Sequence, residues 1–403
     1  MLTTPKGMRL HIAIFGRRNT GKSSVLNALT GQNISIVSEE AGTTTDPVEK
    51  AMELLPIGPV LFIDTAGMDD TGKLGKLRVK KSAKIFDRAD IIMLVTETGV
   101  FGPYEKQILN EAKKRKVPAI AVLNKSDITK APASVIKELK KRKTPYVQIC
   151  AGVKNPSTTA IIKEKLIDII PAEFLSPPPV IADLIAKDRT VILVIPIDKE
   201  APKGRLILPE QMVLREILDK KALCMITNEH NLKEAIKNLK KKPDLVVTDS
   251  QAFEAVLKNT PRGIPLTSFS ILLARAKGDM TELVAGTQAV KKLKNGSSIL
   301  IAEACTHHPI GDDIGRVKIP GWLRKKTGKK LIFDVRAGRD YPEDLKKYDL
   351  IVHCGSCMLN RKETLNRIYA ARKAGVPITN YGVLIAFLNG GLKRALAPLL
   401  KES

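Results

Sequence analysis

Short apolar runs alternate with stretches in which apolar residues recur every three or four positions. RLHIAIFG (9–16), VLFIDTAG (60–67), IIMLVTE (91–97) and AIAVLNKSD (119–127) read as buried parallel strands. KSSVLNALTG (22–31) and EKQILNEAKKRK (105–116) between them read as amphipathic helices. Such alternation predicts a doubly wound α/β sheet over residues 1–175. SPPPV (176–180) follows, and consecutive prolines make a stiff spacer. A second unit, 181–264, has strand patterns in TVILVIPID, ALCMITN and DLVVTDS, with helix patterns in PEQMVLREILDKK and NLKEAIKNLKKK. TPRGIPLTSFS (260–270) reads as a connector from its Pro and Gly content. A third unit, 271–403, alternates again through SILIAEAC, KLIFDVRAG, DLIVHCG and PITNYG. The expected fold class is α/β in three domains, the first large and the other two smaller, and no repeat of solenoid period stands out.

A chain of 403 residues is too long for one core, in keeping with this division. Aromatics are only 4% of residues, so the cores must be aliphatic. No apolar run reaches the length of a membrane span. The opening MLTTPKGMRLHIAIFG lacks the order of a signal peptide, so a cytoplasmic protein is expected, with cysteines outside disulfides. A net charge of +25 attracts polyanions and brings nucleic acid into consideration. The lysines, however, are spread along helical stretches such as 137–143 and 233–242, as on solvated faces, and no basic groove with interleaved aromatics is seen.

GRRNTGKS (16–23) fits the phosphate-binding loop, after a strand and before a helix. Gly16 and Gly21 let backbone N–H groups turn onto phosphate, with Asn19, Thr20 and Ser24 in the same loop and helix start. Lys22 places a cation at the β and γ phosphates, and Ser23 offers a hydroxyl to Mg²⁺. DTAG (64–67) follows a strand; Asp64 can hold Mg²⁺ through water, and the Gly67 N–H can meet the γ-phosphate. NKSD (124–127) supplies Asn124, Lys125 and Asp127. The Asp127 carboxylate can accept two N–H groups of guanine, a pair that adenine does not offer, so GTP is selected over ATP. These motifs together predict a P-loop GTPase fold for the first domain.

The run GKSSVLNALTGQNISIVSEEAGTTTDPV (21–48) resembles the Era-like GTPases, especially the tRNA-modification GTPases. The resemblance implies a switch loop in AGTTTD (41–46), with Thr44, or alternatively Thr43, on Mg²⁺. It also implies a K⁺ ion near the phosphates, held by Asn19. Met68 follows DTAG, and a methionine cannot orient a water as the glutamine of Ras-type switches does, so slow hydrolysis is expected. The guanine-side loop carries Cys150-Ala151 where relatives read Ser-Ala; Ala151 is expected against the nucleotide and Cys150 in packing.

A second chemistry lies in the third domain. Cys305-Thr306-His307-His308 follows one predicted strand, and His353-Cys354-Gly355-Ser356-Cys357 follows another. Ligand sites in open α/β sheets gather at the carboxyl ends of strands. Three of the five cysteines and three of the five histidines fall in these two arrays, whereas Cys224 reads as core. A lone C-x-x-C also serves as a redox pair. Joined to the first array it reads as a metal site, either Cys₃His zinc or a [4Fe–4S] cluster with three thiolates.

C-x-H, a long gap, then H-C-x-x-C behind an Era-like domain resembles the [FeFe]-hydrogenase maturation GTPases, the HydF family. The resemblance covers essentially the whole chain and implies GTPase, dimerisation and cluster-binding domains. It implies Cys305, Cys354 and Cys357 as ligands of a [4Fe–4S] cluster, with His307, His308 and His353 as candidates for the fourth position. It further implies a scaffold or carrier that delivers a diiron precursor to the [FeFe]-hydrogenase apoprotein. GTP/GDP, Mg²⁺ and K⁺ are the other expected cofactors, and radical SAM maturases and a second copy of the chain the other partners. GTP hydrolysis is expected to act as a switch on these interactions. The competing reading is an RNA-binding GTPase of ribosome assembly or tRNA modification with a structural zinc. The first domain and the charge permit it, and the H-C-x-x-C array argues against it.

Overall fold

A computed structural model describes residues 4–30, 48–65, 83–152, 156–197, 206–304, 313–338 and 340–400. The chain forms two compact units, Met1–Pro177 and Pro178–Ser403, which divide within SPPPV.

The first unit is built on one sheet of order β2-β3-β1-β4-β5-β6. Its strands are β1 (Leu10–Phe15), β2 (Val48–Leu54), β3 (Gly58–Asp64), β4 (Ile91–Glu97), β5 (Ala119–Asn124) and β6 (Tyr146–Gln148). All pairings are parallel except β2 with β3. Helices cover both faces, so a central strand is apolar at nearly every position; the exception in β1 is buried His11, whose ring nitrogens meet Arg88 O at 3.2 Å and Lys6 O at 2.9 Å. In β1, Leu10, Ile12 and Ile14 enter one core cluster, while Ala13 and Phe15 enter the other. The helix Lys22–Thr30 buries Val25, Leu26 and Leu29 on one side. The helix Pro103–Lys114 starts with Pro103 after Gly102, whose N–H donates to Glu105 Oε2 at 2.8 Å, and ends in two lysines that suit its negative pole. Two strands were not anticipated. β2 is a half-exposed edge strand with polar alternation, and β6 has only three residues.

The second unit holds two four-stranded sheets with every pairing parallel. One has order β10-β9-β7-β8, from β7 (Thr190–Val194), β8 (Leu223–Thr227), β9 (Leu245–Thr248) and β10 (Leu266–Ser268). The other has order β12-β11-β13-β14, from β11 (Ser298–Ala302), β12 (Ile332–Arg336), β13 (Leu350–His353) and β14 (Ile378–Asn380). The stretch read as a connector therefore contains β10, which completes the first of these sheets.

Taken in chain order, both sheets place their strands as second, first, third, fourth. The correspondence reaches the residues. DLVVTDS (244–250) matches DLIVHCG (349–355), and PLTSFSILLARAKG (265–278) matches PITNYGVLIAFLNG (377–390). In each copy the last strand residue caps the helix that follows it directly. Ser268 Oγ accepts from Ile271 N at 3.3 Å, and Asn380 Oδ1 accepts from Val383 N at 2.9 Å. The two capped helices, Phe269–Lys277 and Tyr381–Leu388, pack on each other at matched positions; a Cβ on Gly382 would lie 2.5 Å from Ser270 Cβ. The second unit is thus two copies of one α/β module.

Candidate functional site

The nucleotide motifs of the first unit meet at the carboxyl edge of its sheet. Gly16 leaves β1 so close to β4 that a Cβ would lie 2.3 Å from the Val95 carbonyl oxygen. Asn19 and Gly21 both have positive φ, 64° and 87°, which curls the loop. A Cβ on Gly21 would lie 2.2 Å from Asn124 Nδ2. Asn124 itself is a clip: Nδ2 donates to Thr20 O at 2.9 Å, and Oδ1 accepts from Ala151 N at 3.0 Å. It joins the phosphate loop, NKSD and the loop after β6. Lys22 Nζ donates to Gly16 O and Arg17 O, both at 2.8 Å. Ser23 is exposed and Ser24 half-buried on the first turn of the following helix.

Asp64 ends β3 and is 4% exposed. Its Oδ1 has no hydrogen-bond partner among the described residues. Burial raises its pKa, opposed by the Lys22 charge and the Thr65 N–H. An orphaned, buried carboxylate oxygen beside the phosphate-loop lysine fits a Mg²⁺ ion or its water. Lys125 pairs with Glu97. Asp127 is exposed, and its carboxylate is held below the usual range chiefly by a hydrogen bond from the Cys150 thiol. Thr43, Thr44, Gly67 and Met68 lie outside the described residues.

Glu105 was not singled out by motif. It is fully buried and accepts two hydrogen bonds from Arg17 of the phosphate loop, Nε at 2.7 Å and Nη2 at 3.2 Å. Burial pushes its carboxyl up, but Arg17 and the Gly102 N–H outweigh it, and the net shift is down. The first Arg of GRRNTGKS was the only available signal, and its partner lies on a helix remote in sequence.

The second cluster is at the carboxyl edge of the last sheet. β13 pairs with β11, with Ala302 opposite His353, so both strands end at one place. Cys354 N donates to Ala302 O at 2.9 Å, and Ala304 N donates to Cys354 Sγ at 3.0 Å. Ser356, with φ of 57°, turns the loop between the two cysteines. Cys357 is half-buried; burial pushes its thiol up, opposed by Lys277 and by the N–H groups of Met358 and Cys357. Beneath the loop, Lys277 is 7% exposed. Burial pushes it down to about 8, against the attraction of Cys357 and Cys354. It ends the helix Phe269–Lys277, where a lysine in the last turn reads as an ordinary complement to the negative pole, so its burial was not marked in the sequence.

His353 is 3% exposed. Its Nε2 lies 3.2 Å from Arg367 Nη1, and its Nδ1 lies 3.0 Å from Cys354 O and 3.2 Å from Ser356 Oγ. A guanidinium can only donate, so Nε2 accepts and the ring proton sits on Nδ1. Burial, then Arg367, pushes its pKa down to about 3. Both ring nitrogens are engaged inside the protein. Cys305, His307 and His308 lie outside the described residues. Among the described residues, no three His, Cys, Asp or Glu side chains gather as a metal ion requires. The donor chemistry present nevertheless fits a thiolate-bound group, because Cys354 Sγ accepts a backbone N–H and the buried Lys277 ammonium holds the loop that carries Cys357.

Among the described residues, no helix is long and apolar enough to cross a membrane. Residues 11–125 match the family described as 50S ribosome-binding GTPase. GTPase Der of Wolinella succinogenes is 33% identical over 168 residues, covering 40% of this chain and 36% of that protein. The tRNA modification GTPase MnmE of Lactobacillus helveticus is 37% identical over 161 residues, covering 40% of this chain and 32% of that protein. The chain thus spans about a third of the length of these curated relatives. A crystal structure of Aquifex aeolicus Era is 21% identical, covering 61% of this chain and 97% of that one, with a TM-score of 0.33. Residues 180–278 match the hydrogen maturase F dimerization domain, and residues 281–398 match the hydrogen maturase F tetramerization domain. With two domains particular to one family lying behind a GTPase domain, the chain belongs to the hydrogen maturase F family.

Proposed function

We propose that this protein binds and hydrolyses GTP in its first domain and carries a [4Fe–4S] cluster in its last, as a scaffold that delivers the diiron precursor to [FeFe]-hydrogenase. The observation that carries the cluster reading is the 3.0 Å contact of Ala304 N with Cys354 Sγ. It brings together the ends of the two strands that precede the cysteine arrays, and Cys305 is the next residue in the chain.

In the first domain, Lys22 and the loop backbone hold the β and γ phosphates, while Ser23, Thr44 and Asp64 serve Mg²⁺. Gly67 meets the γ-phosphate, Asn19 serves a K⁺ ion, and Asp127 reads guanine with Ala151 beside it. Hydrolysis is slow because Met68 cannot orient water, and it switches contacts with radical SAM maturases and the hydrogenase.

In the last domain, Cys305, Cys354 and Cys357 hold the cluster. A cluster bound by three thiolates supplies one iron open to a further ligand. The engagement of both His353 nitrogens favours His307 or His308 over His353 for that position.

The edge strands support self-association. β8 and β12 are the corresponding edges of the two modules, and they expose Leu223, Ile226 and Ile332. An exposed apolar edge is a template for pairing with another chain. We assign β8 to a homodimer.

Anaerobic reconstitution followed by iron, sulfide and zinc assay, with electron paramagnetic resonance, tests the reading. About four irons per chain are expected. One zinc with salt-sensitive RNA binding would support the RNA-binding alternative instead.

A further inference from the structure

An ammonium has three N–H donors, and Lys277 places all three on one loop. Its Nζ donates to the carbonyl oxygens of Ser356, Cys357 and Leu359, at 3.3, 3.3 and 2.9 Å. Lys277 belongs to the part of the chain matched by the dimerization domain, and the loop to the part matched by the tetramerization domain.

The carbonyls of Ser356 and Cys357 belong to the peptide units on either side of Cys357, so the buried ammonium fixes the backbone before and after that residue.

The duplicated module supplies an internal comparison. Asn389 stands where Lys277 does in the other copy, and its amide donates to Ile385 O of its own helix at 2.9 Å. The loop after β9, which matches the cysteine loop, begins Asp249-Ser250-Gln251 and contains no thiol. The lysine belongs to the helix that faces the cysteines.

We propose that Lys277 is the positioning residue of the cluster loop, a cation supplied by the dimerization domain that fixes the backbone on both sides of Cys357 and raises the cluster's reduction potential. Reduction adds negative charge, which a nearby buried cation favours. The inference rests on the cluster reading above.

The test uses the full chain, reconstituted anaerobically with iron and sulfide at pH 7 and titrated redox-wise by electron paramagnetic resonance. Lys277→Met removes charge and donors, Lys277→Gln keeps two donors without charge, and Lys277→Arg keeps the charge. Both neutral variants are expected to shift the couple toward the oxidised form at least tenfold, about 59 mV for one electron. Lys277→Arg should stay within a few-fold of wild type. If Lys277→Met does not fold, Lys277→Gln against Lys277→Arg makes the same comparison. An unchanged potential in the neutral variants, or an equal fall in Lys277→Arg, overturns the proposal alone. Wild-type protein that takes up no iron overturns the cluster reading, and this proposal falls with it.

Discussion

The Cys150 thiol acts on the Asp127 carboxylate and holds it below the usual carboxylate range. Backbone bonds fix both sides of this pair, because Ser126 N donates to Ile149 O at 3.0 Å and Ala151 N to Asn124 Oδ1 at 3.0 Å. We expect this thiol to help orient the carboxylate proposed to read guanine. One such hydrogen bond is worth about 0.5–1.5 kcal/mol, or roughly 2–10-fold in affinity. Cys150→Ala should weaken GTP and GDP binding by that factor, and Cys150→Ser should restore it. Titration with a fluorescent GDP analogue reads this directly. Wild-type affinity in the alanine variant would rule the role out.

Arg17 and Glu105 lead to a pH-dependent expectation. The folded-state pKa of Glu105 is lowered, so its contribution to stability is present above the unfolded value, about 4.3, and is lost as pH falls through the folded value. Arg17→Ala strands a buried carboxylate and should cost about 1.5–3 kcal/mol at neutral pH. That gap should shrink below about pH 4, where the wild type also loses the bonus. Urea denaturation at several pH values measures it, and a pH-independent gap would contradict the assignment.

Most of the first domain was legible from pattern because β1, β3, β4 and β5 are largely buried on both faces and run apolar up to the polar residues at their carboxyl ends, with His11 in β1 the interior exception. β2 was missed because an edge strand keeps one polar face. The duplication behind it was missed because the matched stretches are short and separated by helices of different length. The phosphate loop and the cysteine arrays were visible as local spacings. Lys277, Glu105 and Arg367 were not, because their partners lie far away along the chain and only folding brings them together.

Lys22→Ala should lower GTP turnover by about 10²-fold or more, since the ammonium stabilises charge that develops on the transferring phosphoryl group. Iron content should stay at the wild-type level. Loss of both together would mean that the nucleotide domain is needed for cluster binding.

The double variant Leu223→Lys, Ile226→Lys places a charge on each face of the β8 edge strand. Sedimentation velocity should show dimers replaced by monomers, while GTP turnover per chain stays within about twofold, because surface changes away from a site usually shift energies by less than about 0.5 kcal/mol. Dimers that persist would move the interface elsewhere, with the β12 edge as the next candidate.

The central claim is that three thiolates hold an iron–sulfur cluster in the last domain. Its most direct measurement is iron, sulfide and zinc per chain in anaerobically reconstituted wild type, Cys354→Ser and Cys357→Ser, with GTP turnover measured on the same samples. About four irons and four sulfides are expected in the wild type. Each serine variant should lose most of both while keeping its GTP turnover. Full iron and sulfide in either serine variant, or zinc in place of iron in the wild type, would contradict it.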